Sequence, residues 1–293
     1  MSLASLFLRT TFRHSDNKRD AGLTTPEDIC RFDNIFYGPD REWNLLDVYR
    51  PKNSEGKLPV IVSVHGGGWV YGDKDRYQYY CMSLARHGFA VVNYSYRLAP
   101  KHKFPSSLED TNLVFHWVLK NARQYGFDCE NIFAVGDSAG AHNLALYCCI
   151  CTNPGYAAAF PFTTPAGFRP SAVALNCGIY KMEKSKKRDL TTMLMADFLP
   201  GKGSAEEMYR ISATEHLTGS FPPTFLMTCE GDFLAEAAKP MLEGLLSLGI
   251  ETEYHYYGDT DHVLGHVFHC NIRLPEAQQC NEEECAFFRK HIT

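Results

Sequence analysis

Residues 136–140 read Gly-Asp-Ser-Ala-Gly, directly after the apolar run 131–135 and directly before another at 144–150. A G-x-S-x-G sequence where a strand passes into a helix makes a turn so tight that flanking side chains would collide with neighbouring elements. Ser138 would sit there on a strained backbone with its hydroxyl raised above the sheet, facing the first amides of the next helix. Its chemistry is nucleophilic attack on an acyl group. Earlier in the chain, His65-Gly66-Gly67-Gly68-Trp69 closes another apolar run. Three consecutive glycines leave backbone N–H groups uncovered, which suits an oxyanion hole. A phosphate loop needs Gly-Lys-Ser/Thr or G-x-G-x-x-G, and neither is present here.

An activated serine needs a base and a group that orients the base, in the chain order acid then histidine. Residues 228–238, TCEGDFLAEAA, offer Asp232 at a strand end, with Glu230 as an alternative acid that reads more easily as a surface or pairing residue. Residues 256–269 offer His262, His266 and His269. One imidazole would take the Ser138 proton while Asp232 fixes its tautomer.

These residues must be positioned by a scaffold, and the hydropathy pattern supplies one. Residues 34–38 and 43–51 read as an antiparallel strand pair around Gly38-Pro39-Asp40. Continuous apolar runs at 58–64, 89–96, 131–136, 171–180 and 223–229 have the pattern of strands buried on both faces, and 251–257 adds an eighth strand. Helix-period stretches fall at 77–87, 106–126, 139–150 and 235–248, with residues 1–30 a short helix and loop. Alternating strands and helices mean an α/β fold with a mostly parallel sheet covered on both faces. The charge run at 181–189 reads as a solvated face or part of a lid.

Composition narrows the classes. The chain has 293 residues, 45% hydrophobic and 22% charged, with a formal net charge of −5. That argues against a nucleic-acid footprint or a polybasic membrane patch. No run reaches membrane-spanning length, and the N-terminus has no signal-peptide pattern. Eleven cysteines, three of them crowded at 148–151, match neither a disulfide scaffold nor a zinc motif. Cys270, Cys280 and Cys285 lie near His269 but lack a C-x₂₋₄-C pair, so they read as free structural thiols. The expectation is a cytoplasmic protein with no cofactor and no metal. Its oligomeric state is left open, a homodimer being one option.

The stretch NYSYRLAPKHKFPSSLED at 93–110, together with HGGGW at 65–69, GDSAG at 136–140 and the Asp232 and histidine loops, resembles the α/β-hydrolase superfamily. Within it, the chain is most similar to esterases related to hormone-sensitive lipase. The resemblance spans roughly residues 45–270 and implies an α/β-hydrolase fold with an eight-stranded sheet, residues 1–293 forming one domain. It also implies a small cap from 1–30 and part of 181–218, and oxyanion donors at Gly67, Gly68 and Ala139. The implied activity is hydrolysis of short-chain acyl esters, with acetyl esters first, by a Ser138, His266, Asp232 triad. Relatives carry His-Gly-Phe where this chain has His266-Val267-Phe268. The aromatic two places on favours His266, whereas spacing from Asp232 favours His262. Trp69 and Tyr71 are the aromatics expected to narrow an acyl pocket. An arylformamidase-like amidase would use the same residues, and a non-catalytic small-molecule receptor is the reading from a different class.

Overall fold

The computed structural model describes residues 2–183 and 190–293, so most of the 181–189 charge run lies outside the described residues. The chain runs α1 (Leu3–Asp20), β1 (Ile29–Phe36), β2 (Leu45–Pro51), β3 (Leu58–Val64), α2 (Lys74–Ala85) and β4 (Ala90–Tyr94). It continues with α3 (Ser106–Tyr125), β5 (Phe127–Asp137), α4 (Ala139–Thr152), α5 (Pro154–Ala157), β6 (Val173–Asn176), α6 (Leu190–Phe198) and α7 (Ala205–Arg210). Then come β7 (Thr224–Cys229), α8 (Lys239–Ser247), β8 (Thr252–Tyr257) and α9 (Pro275–Lys290).

The eight strands form one sheet in the order β1-β2-β4-β3-β5-β6-β7-β8. β1 and β2 are antiparallel, β2 runs antiparallel to β4, and the strands from β4 to β8 are parallel. The apolar runs alternate between two cores. Val60, Val62 and Val64 of β3 pack with α3 and α4 on one face, while Ile61 packs with α2 and α9 on the other. β4 divides in the same way, Val92 to one core and Val91 to the other. Residues two apart on a strand share a face, so a strand covered on both sides shows no polar alternation.

Chain order reverses around β3, which has β4 on one side and β5 on the other. The crevice beyond the carboxyl ends of strands at such a reversal is where ligands bind in open α/β sheets. Val64 pairs in register with Gly136, so the glycine loop after β3 and the Ser138 turn after β5 emerge side by side.

Several elements depart from the sequence reading. α1 has 18 residues, far longer than a short helix. β1 begins at Ile29, inside the stretch read as loop, and β6 has only four residues. α6, α7 and α9 had not been assigned as helices. No helix among the described residues is long and apolar enough to cross a membrane.

Candidate active site

The turn after β5 explains its glycines by contact. A Cβ on Gly140 would lie 2.0 Å from the Val64 carbonyl oxygen and 2.5 Å from that of His65. α4 therefore approaches the end of β3 at backbone distance. Ser138 takes φ 54° and ψ −117°, a region that costs a non-glycine residue about 1–3 kcal/mol. The surrounding β5, β6 and α4 hold it there, with Ser138 N–H donating to the Asn176 carbonyl at 2.8 Å.

The parallel strands β5, β7 and β8 deliver their following loops to the same edge. Asp232 follows β7, and the loop after β8 carries His266 back over the sheet. His266 Nε2 lies 3.0 Å from Ser138 Oγ, and its Nδ1 lies 2.7 Å from Asp232 Oδ1. Asp232 also accepts from Thr228 Oγ1 at 2.8 Å and from Leu234 N–H at 2.9 Å. Burial opposes ionisation of Asp232, but the bonds from His266, Leu234 and Thr228 outweigh it and hold the carboxyl below its ordinary range. Of the remaining candidates, Glu230 accepts from the Tyr256 hydroxyl at 2.6 Å on the surface. His262 is 60% exposed and pairs with Glu276 at 2.8 Å. His269 is buried and meets Asp137, not Ser138, at 2.5 Å.

The glycine loop is braced by the stretch at 93–110. His65 stacks on Tyr96 with ring centroids 4.0 Å apart, and the Tyr96 hydroxyl donates to the His65 carbonyl at 2.9 Å. Burial pushes the His65 imidazole down to about 4. Arg97 binds Asp110 through its backbone N–H at 2.8 Å and through Nε at 3.0 Å, tying the strand end to α3. Gly67 stands at φ 119°, and a Cβ there would meet the Tyr71 carbonyl oxygen at 2.1 Å. Its own carbonyl accepts from Val70 and Tyr71. Gly67 lines the pocket beside Ser138, while Gly68 is turned toward Leu8 of α1. Ala139 is the first residue of α4, where the amides have no partner within the helix.

A pocket of about 270 Å³ opens over Ser138 and His266. Tyr71 lines it, as does Tyr77. Trp69 does not, which corrects its assignment as a substrate contact. Its ring is stacked on Phe198 at 4.9 Å and its indole N–H donates to His142 Nδ1 at 3.1 Å, so it serves the core beneath the loop. The sequence reading missed the other walls. Phe12 and Asp16 come from α1, and Phe233, 71% exposed, lies 4.3 Å from the His266 ring. Phe233 could have been found from its place directly after Asp232, whereas the α1 residues belong to no motif.

Val267 accounts for the departure from His-Gly-Phe. It stands at φ 54° and ψ 36°, in the left-handed region where a branched side chain is strained and glycine is not. The backbone shape expected of a glycine is kept with valine in its place.

Comparison with known proteins agrees with this fold. The family model BD-FAE matches residues 46–240. The versiconal hemiacetal acetate esterase of Dothistroma septosporum is 29% identical over 230 residues, 73% of this chain and 69% of that protein. Carboxylesterase NlhH of Mycobacterium tuberculosis is 29% identical over 216 residues, 70% of this chain and 66% of that one. Among solved structures, esterase B of Lactobacillus rhamnosis, inhibited by a C4-C4 SN3 tributyrin phosphonate, superposes with a TM-score of 0.89. It shares 25% identity over 98% of this chain and 95% of that one. Fold and sequence thus agree: the chain belongs to the BD-FAE family, within the α/β-hydrolase esterases, and is a carboxylic ester hydrolase.

Proposed function

We propose that the chain hydrolyses short-chain acyl esters, acetyl esters foremost, through an acyl-enzyme on Ser138. The observation that carries this reading is the imidazole of His266, which bridges Ser138 Oγ at 3.0 Å and Asp232 Oδ1 at 2.7 Å. Ser138 Oγ attacks the ester carbonyl as its proton passes to His266 Nε2, and the carbonyl oxygen becomes an oxyanion. The proton then passes to the leaving alkoxide, which departs as the alcohol. Water, deprotonated by the same nitrogen, attacks the acyl-serine and releases the acid, and Ser138 regains its proton. Asp232 stays ionised and stabilises the imidazolium.

The oxyanion is held by the amides of Gly67, Gly68 and Ala139. Across a trans peptide, C=O and N–H point opposite ways. The Gly67 carbonyl is turned toward Val70 and Tyr71, so the Gly68 N–H points away from that turn. The Ala139 amide heads α4, whose dipole favours negative charge there. The pocket of about 270 Å³ must seat the acyl and alcohol parts together, which suits a small acyl group.

Residues 1–30 with part of 181–218 act as a cap on one α/β-hydrolase domain. Supporting this, Ser2 N–H and Ser5 Oγ of α1 both donate to Asp197 of α6, at 2.8 and 2.5 Å. Eleven free thiols, eight of them buried, suit the reducing cytoplasm. The test is Ser138→Ala assayed with p-nitrophenyl acetate. Turnover should fall by on the order of 10⁶, with the far-ultraviolet circular dichroism unchanged. A variant that keeps a tenth of the wild-type rate would refute the nucleophile.

A further inference from the structure

We propose that the pocket wall built by α1 and Tyr71 recognises hydroxyl groups, so that the preferred substrates are neutral esters whose alcohol carries further free hydroxyls. This rests on the serine-esterase reading above and names the leaving group that the reading leaves open.

α1 crosses the mouth of the pocket and turns one face toward it, Thr11, Ser15 and Arg19 at four-residue spacing with Phe12 and Asp16 beside them. The helix is pinned there. Arg9 donates to the carbonyls of Val70 and Ala99 at 2.6 and 3.1 Å, and Arg273 donates to the carbonyls of Arg19 and Ala21. The polar groups on this wall are therefore held in place before any ligand arrives, which lowers the cost of using them.

Asp16 accepts from the Tyr71 hydroxyl at 2.8 Å and pairs with Arg19 at 3.0 Å. A carboxylate has about four lone-pair sites, so two bonds leave it acceptor capacity. The Tyr71 proton is committed to Asp16, which leaves that oxygen with lone pairs to offer. Both groups thus present acceptors, and a ligand that satisfies them must bring donors. Burial raises the Asp16 carboxyl above its ordinary range, a sign that the ionised form lacks part of the solvation it would have in water.

Charge then selects among donors. Arg19 is already held by Asp16, by Asp20 at 2.7 and 2.9 Å, and by the Arg76 carbonyl at 2.5 Å. Arg19 and Arg76 together offset the charges of Asp16 and Asp20, so a substrate cation would gain little. An anion would meet the free lone pairs of Asp16 and be repelled. A neutral hydroxyl meets neither penalty. Apolar contact with the rest of the substrate falls to Phe12 and Phe233 on the same pocket.

The test compares two acetates of the same shape, glycerol 1-acetate and 2-methylbutyl acetate, in which two hydroxyls replace two methyl groups. Each kcat/KM is divided by the hydroxide-catalysed rate of the same ester, and acetylcholine is the cationic comparison. The wild type should favour the glycerol ester by at least about tenfold, the size expected for a hydrogen bond to a charged acceptor. Tyr71→Phe and Asp16→Asn should each bring the ratio toward one. A ratio does not depend on how much of a variant is folded, so partly misfolded preparations still report. A wild-type ratio of one or less, a ratio unchanged in both variants, or faster turnover of acetylcholine overturns the proposal. Loss of p-nitrophenyl acetate hydrolysis in the wild type would instead remove the esterase reading on which it rests.

Discussion

His269 Nε2 lies 2.5 Å from Asp137 Oδ1, immediately before Ser138 in the chain, and both side chains are buried. The segment that delivers His266 to the serine therefore delivers a second imidazole to the residue beside it. Removing one partner of a buried hydrogen bond leaves the other unsatisfied, which costs about 1–3 kcal/mol. His269→Ala should lower the stability by that amount in urea titration. A loss below about 1 kcal/mol would show that Asp137 has no need of the imidazole.

The choice between the two outer histidines has a direct kinetic test. His266→Ala removes the bridge between Ser138 and Asp232 and should cost on the order of 10⁶ in turnover. The exposed His262 imidazole pairs with Glu276 at the surface, so His262→Ala should stay within a factor of two or so of the wild type with p-nitrophenyl acetate. The reverse pattern would move the base to His262.

Acyl length should be read in a graded way. A pocket of about 270 Å³ that must also seat the alcohol should turn over acetyl faster than butyryl esters and fail with decanoyl. An apolar pocket discriminates by roughly 1–3 kcal/mol per methylene, so the p-nitrophenyl series should fall stepwise. Decanoyl outpacing acetyl would contradict the confined pocket.

Glu284 of α9 sets a pH dependence of stability. It is fully buried, accepts from Tyr80 at 3.1 Å and Asn176 at 2.8 Å, and burial pushes its carboxyl up to about 7 from an ordinary 4.5. Between those values the folded protein keeps a proton that the unfolded chain has lost. The contribution is thus fully present below pH 4.5 and is lost as pH rises through 7, on the order of 3 kcal/mol. Glu284→Gln, which stays neutral, should gain stability on the wild type between pH 5 and pH 8. Parallel stability curves for the two proteins would show that Glu284 does not titrate in that window.

What the chain revealed before folding follows from how each part is buried. Strands covered on both faces read as unbroken apolar runs, and the glycines at 66, 67, 136 and 140 mark backbone contacts that no side chain permits, while Gly68 stands at φ 59°. α9 was illegible because Ala277, Cys280, Cys285 and a buried Glu284 stand where large apolar residues would signal a helix. α1 reads as a helix, but its full length of 18 residues is hidden for the opposite reason. Leu3, Leu6 and Phe7 are exposed, while its pocket face is mostly polar. Trp69 misled because an aromatic after a glycine loop looks the same whether it faces a ligand or a neighbouring ring.

The division of labour between α1 and the sheet bears on how such a protein can change. Ser138, Asp232 and His266 are set by strand ends whose backbones touch, where even an added methyl group would collide. Thr11 and Ser15 are exposed and reach the pocket from a helix that lies outside the sheet, and exposed positions usually tolerate replacement within about 0.5 kcal/mol. Substrate preference can therefore drift along α1 one residue at a time while the reaction chemistry stays still. A library varied only at Thr11, Phe12 and Ser15 would search new leaving groups with most of its members folded.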